Sequence, residues 1–138
     1  MGNGLKLENI KTYFIQHQLP PLDQSSIIYG MINAKAWQYA LLSGLATLFI
    51  RHILIYFNAE KIILIGLTAN ANLSESITVI PMTKITNLSF KTGFFRGELT
   101  FIYEQQKYTF KIPNFILAAK WQKNNLKNIL QRYIISAS

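Results

Sequence analysis

The chain has 138 residues, half of them hydrophobic and 14% charged, a balance that supports one packed domain and excludes intrinsic disorder. It contains no cysteine, which excludes disulfides, thiolate metal centres and cysteine nucleophiles. Fourteen Lys and Arg against six Asp and Glu give a formal charge of +8, a field that favours anionic partners.

Residues 5–18, LKLENIKTYFIQHQ, place Leu7, Ile10, Phe14 and His17 at helical spacings, and Pro20 and Pro21 stop the helix. SSIIYGMINA, about 25–34, is a β-branched run that reads as a first strand. The segment 36–50, AWQYALLSGLATLFI, is too short for a membrane span of roughly 20 apolar residues. Extending it through RHILIYF would place Arg51 and His52 in hydrocarbon, so it reads as a buried or interfacial segment.

RHILIYF and KIILIGLT read as two strands of a hairpin, turning at 58–61. A polar loop covers 69–75, and SITVIPM follows as a strand that Pro81 ends or assigns to an edge. ITNLSFKT, a tight connection at 93–97, ELTFIYE, a turn at Gln105 and Gln106, and KYTFKIP complete a meander. In the last strand Tyr108, Phe110 and Ile112 alternate with Lys107, Thr109 and Lys111. The period then changes. Asn114 reads as an N-cap for one helix over 114–134, with Phe115, Ala118, Ala119, Leu126, Ile129, Leu130 and Tyr133 on its apolar face. Trp121 falls off that stripe, and Lys120, Lys123 and Lys127 share the opposite flank.

The reading is therefore mainly β: seven strands in a bent antiparallel sheet that hides its apolar face and edges, capped by a C-terminal helix, with a short N-terminal helix. It is one domain over 1–138, with the barrel at about 25–113.

Three stretches carry a family resemblance: ILIYFNAEKIILIGL, IPMTKITNLSFKTGFFRGELTF with Ile80, Pro81, Ile85, Gly93 and Gly97, and KYTFKIPNFILAAKWQKNNLKNIL. Spanning about 52–130, they resemble the bacterial PH-like (pleckstrin-homology-like) domains. The resemblance implies a strongly bent seven-stranded barrel plugged at one end by the last helix, and a scaffold for binding with no reaction attached. It also implies that an apolar pair at Phe94 and Phe95 folds back over the open end of the barrel. In eukaryotic relatives a basic first hairpin binds phosphoinositide head groups. Here the corresponding loop, 35–50, is bracketed by Lys35 and Arg51 and is otherwise apolar.

Chemistry-bearing patterns are few. His17 and His52 are the only histidines and show no ligand spacing, and neither a phosphate loop nor a G-x-S-x-G elbow occurs. The expectation is a non-enzyme without cofactor or metal. Two surfaces are candidate binding sites. The first is Phe94 and Phe95 between Lys91 and Arg96, a pattern suited to a membrane interface or a protein partner. The second is the basic set Lys107, Lys111, Lys120, Lys123 and Lys127, which follows the last acid, Glu104. The leading expectation is a non-catalytic binding or assembly module, with a protein partner or self-association through 36–50. Its alternatives are a peripheral membrane-binding domain and a nucleic-acid-binding protein. The start, MGNGLKLENI, has no apolar signal region and Lys6 breaks a myristoylation pattern; the end, RYIISAS, carries no prenylation signal. The expected location is the bacterial cytoplasm, including the inner face of its membrane.

Overall fold

The computed structural model describes residues 3–32, 52–134 and 136–137; the segment 36–50, read above as buried or interfacial, lies outside them, as do Lys35 and Arg51. Helix α1 spans Leu7–Gln16. It is followed by β1 (Ile27–Ile32), β2 (His52–Phe57), β3 (Lys61–Leu67) and β4 (Leu73–Pro81). A 3-10 turn, Met82–Lys84, leads to β5 (Ile85–Lys91), β6 (Arg96–Tyr103) and β7 (Gln106–Pro113). Helix α2 spans Gln122–Arg132, and the two-residue β8 (Ser136–Ala137) ends the described chain.

The strands form one sheet in the order β4-β3-β2-β1-β7-β6-β5-β8. Pairing is antiparallel throughout the first seven, and β8 adds in parallel to β5. Ile80 of β4 and Phe90 of β5, far apart in that order, share one apolar cluster, so the sheet curls around a common core. The mainly β, helix-capped architecture expected from the sequence is the one observed.

The two halves of the sheet are buried differently, and the residues show why. In β2, Ile53, Ile55 and Phe57 face the inner cluster, while Leu54 and Tyr56 face a second cluster outside. In β3, Ile62 and Leu64 point inward while Ile63, Ile65 and Leu67 point outward. Such continuous apolar runs suit strands covered on both faces. Helix α1 supplies the outer cover through Ile10, Tyr13 and Phe14, and the Phe14 ring meets Tyr56 edge-on at 5.0 Å. Strands β6 and β7 instead alternate buried with more accessible positions, and among the described residues no such helix lies over their polar face. There Thr100 pairs with Thr109, and Glu98 with Lys111.

Helix α2 closes the inside of the curl with Leu126, Ile129, Leu130 and Tyr133. A stripe of amides on its next flank, Gln122, Asn125 and Asn128, binds backbone. Gln122 accepts from the Tyr29 N–H at 2.8 Å and donates to the carbonyls of Tyr29 (2.8 Å) and Pro113 (3.0 Å). Asn125 donates to the Gln24 and Ile27 carbonyls, and Asn128 to that of Ser25. Among the described residues, β1 and β7 pair at Met31 and Ile32, and Gln122 takes the place of a ladder partner for Tyr29, where they part. Buried backbone groups need partners, and a helix side chain provides them here.

The last helix starts later than the sequence suggests. It begins at Gln122, and residues 114–121 form turns. Asn114 is therefore not its N-cap, and Phe115, Ala118 and Ala119 all precede it: Phe115 and Ala118 are exposed, and Ala119 packs into the outer cluster beside α1. The reason is a competing use for Asn114, which fastens the β5–β6 hairpin. The other turn also moves by one residue: Tyr103 pairs with Gln106, which leaves Glu104 and Gln105 as a two-residue loop.

Candidate functional site

Residues 92–95 connect β5 to β6. A Cβ at Gly93 would meet the Arg96 carbonyl oxygen at 2.1 Å, so only glycine permits this close a turn. Asn114, one residue past β7, holds the turn from the side. Its amide Nδ2 donates to the Gly93 and Phe94 carbonyls at 3.0 Å each, and its backbone N–H donates to the Phe95 carbonyl at 2.9 Å. Three successive carbonyls of the tip thus accept from one residue. The side chains are left to point away.

Phe94 is 88% exposed and Phe95 79% exposed. The two rings meet edge to face, 4.6 Å apart and at 88°. They do not fold back over the barrel, contrary to what the family resemblance implies: the barrel's inside is already filled by α2 and by Phe90, Phe101 and Phe110. The same end carries two further exposed side chains, Phe115 at 57% and Leu117 at 80%, within three residues of Asn114. Four large apolar groups are thus exposed on the hairpin tip and on the chain that follows Asn114.

Cations surround it. Lys91 and Arg96, the residues that end and begin the flanking strands, are exposed. So are Lys120, Lys123 and Lys127. Lys120 precedes α2, while Lys123 and Lys127 stand one turn apart on it. Between the tip and α2 runs a groove of about 410 Å³, with Phe90, Leu126 and Leu130 among its apolar lining and Lys123 and Lys127 among its polar lining.

The second basic pair lies elsewhere. Lys107 and Lys111 stand on the outer face of β7, opposite Ile102 and Glu98, with the sheet between them and α2. The basic set singled out in the sequence is therefore two surfaces. The aromatic site lies beside the helical one.

Sequence reasoning placed Phe115 in a buried stripe and passed over Leu117. The run Phe115, Ile116, Leu117 held a signal, because three consecutive apolar residues cannot share one helix face.

Four charged or titratable side chains elsewhere, His17, Glu75, Asp23 and Arg132, fasten parts of the fold together. His17 Nε2 meets the Glu75 carboxylate at 2.6 Å and its ring stacks on Tyr13, fastening α1 to β4. The Glu75 hydrogen bond raises the His17 pKa above its usual value. Burial, with Glu75 nearby, pushes the Tyr13 phenol up to about 12. Asp23 accepts from the Ser25 hydroxyl and backbone N–H, the Ser26 hydroxyl and Arg132. These bonds, the Ser25 hydroxyl foremost, hold its carboxyl well below the usual carboxylate range. Tyr29 and His52 stack with ring centroids 6.0 Å apart.

Among the described residues, no cluster of three or more His, Asp or Glu has the arrangement of a metal site, and no helix is long and apolar enough to cross a membrane. No protein-family model and no curated protein sequence matches the chain.

Proposed function

We propose that the chain is a non-catalytic binding module of PH-like type, and that the partner of its aromatic end is an anionic membrane surface. The carrying observation is the outward display of Phe94 and Phe95 on a turn fixed by Asn114. Aromatic rings gain by leaving water at the headgroup level, and flanking cations gain by meeting lipid phosphates. Lys91, Arg96, Lys120, Lys123 and Lys127 supply those cations. A fixed turn also spares the ordering entropy that a floppy loop would lose on insertion. Strand order and the helical plug support the PH-like part of the reading.

Co-sedimentation with vesicles tests this. Phosphatidylcholine vesicles containing phosphatidylglycerol should retain the protein, and pure phosphatidylcholine should retain much less. Retention should fall as salt rises through the physiological range, because exposed charges are screened over roughly 8 Å there. Phe94→Ser with Phe95→Ser should weaken retention about tenfold or more, each ring being worth roughly 1.5–3 kcal/mol when fully buried. Equal sedimentation of parent and double variant, or indifference to the anionic lipid, overturns the proposal.

A further inference from the structure

We infer that the groove between the hairpin tip and α2 is a binding site for a single anionic phospholipid, its phosphate held by Lys123 and Lys127 and its first acyl carbons lying on Phe90, Leu126 and Leu130. This rests on the membrane reading above and names a stoichiometric ligand within it.

The groove's volume, about 410 Å³, lies within the roughly 300–1,000 Å³ typical of small-molecule sites. Its chemistry is divided. Phe90 and Leu126 belong to the barrel's inner apolar cluster and Leu130 packs against it, so the groove continues the core outward to the surface. Lys123 and Lys127, at i and i+4, put two ammonium groups along one side, and no acid lines the groove. Two cations above an apolar floor complement a molecule that is anionic at one end and hydrocarbon at the other. A free inorganic anion would leave the floor wet, and an uncharged hydrocarbon would leave the lysines unused.

Position adds a second argument. Gly93 and Asn114 line the groove and also set the tip, so Phe94 and Phe95 lie at its mouth. Rings seated at the headgroup level would bring the groove to the depth at which a lipid phosphate sits.

The test uses the full chain and dihexanoyl phosphatidylglycerol, a lipid soluble as a monomer, followed by amide NMR shifts. Saturable shifts should appear at Gly93, at the Asn114 side chain and across residues 123–127. Inorganic phosphate at the same concentrations should not reproduce them. Lys123→Gln with Lys127→Gln should weaken binding about thirtyfold, the equivalent of roughly 1 kcal/mol per cation near an anionic surface. Both lysines are exposed, so an unchanged melting temperature is expected and checks the fold. Phe94→Ser with Phe95→Ser should lose vesicles and keep the soluble lipid.

If vesicles are bound through the phenylalanines but the soluble lipid gives no saturable shifts, the groove inference fails and the membrane reading stands. Shifts that survive in the lysine variant, or that inorganic phosphate reproduces, also end it. Soluble lipid bound without any vesicle retention supports the groove and removes the membrane reading.

Discussion

Single residues decide how closely the two sides of the site approach. Gly97 of β6 faces inward, where a Cβ would stand 2.3 Å from the Phe90 Cζ and 2.7 Å from the Lys91 carbonyl oxygen. The Phe90 ring therefore lies directly over β6 backbone, a cover that glycine alone permits in a strand. Gly97→Ala should force the ring aside and cost about 1–3 kcal/mol, the usual range for overpacking. Urea unfolding measures the loss. Because Phe90 also floors the groove, the same variant should shift the groove amides more than those of α1. A wild-type stability would mean that the ring is free to move and that the floor is not a fixed surface.

At the scale of elements, the turn between β6 and β7 retains strain. Its two central residues, Glu104 and Gln105, have φ of 52° and 67°, as a type I′ hairpin requires. Neither is the Asn or Gly that adopts this conformation readily. Gln105→Gly should therefore stabilise the protein by about 0.5–1 kcal/mol, the relieved left-handed cost less the added freedom of the unfolded chain. A higher melting temperature at unchanged denaturant slope checks this, and a lower one would show that Gln105 makes a contact worth more than its strain. The strands themselves were legible from the sequence because burial leaves a mark in it. Double-sided burial wrote the unbroken runs HILIYF and KIILIGL, and single-sided burial wrote the alternation of KYTFKIP. The start of α2 was not legible. NFILAAKW satisfies helical spacing locally, but Asn114 is taken up by carbonyls some twenty residues upstream, a contact that no local pattern reveals. The amide stripe of Gln122, Asn125 and Asn128 left no local mark for the same reason: its partners lie in another element. At the site, the sequence showed which residues were unusual, Phe94 and Phe95 between two cations. Their direction depends on the barrel already being full, which is a property of the whole core.

On the scale of the whole molecule, two polar clasps hold the pieces outside the barrel, and they titrate in opposite directions. His17 on Glu75 ties α1 to β4. Its pKa is raised in the fold, so its contribution is complete below the ordinary histidine value of 6.5 and fades as pH rises through the higher folded value. Asp23 ties the approach to β1 to the end of α2 through Arg132. Its pKa is lowered from 3.8, so its contribution is complete above that value and fades as pH falls toward the folded one. Between these limits both clasps are closed. Stability measured by urea midpoint should therefore form a plateau between about pH 4 and pH 6.5 and decline on either side. His17→Gln should flatten the alkaline decline and leave the acid one, and Asp23→Asn should do the reverse. The effects should add, because the two clasps share no residue and join different elements. An alkaline decline unchanged in His17→Gln would show that the His17–Glu75 clasp contributes nothing, leaving the apolar seam of Ile10, Tyr13 and Phe14 and the bond from the Tyr13 hydroxyl to the Ser74 carbonyl to hold that helix.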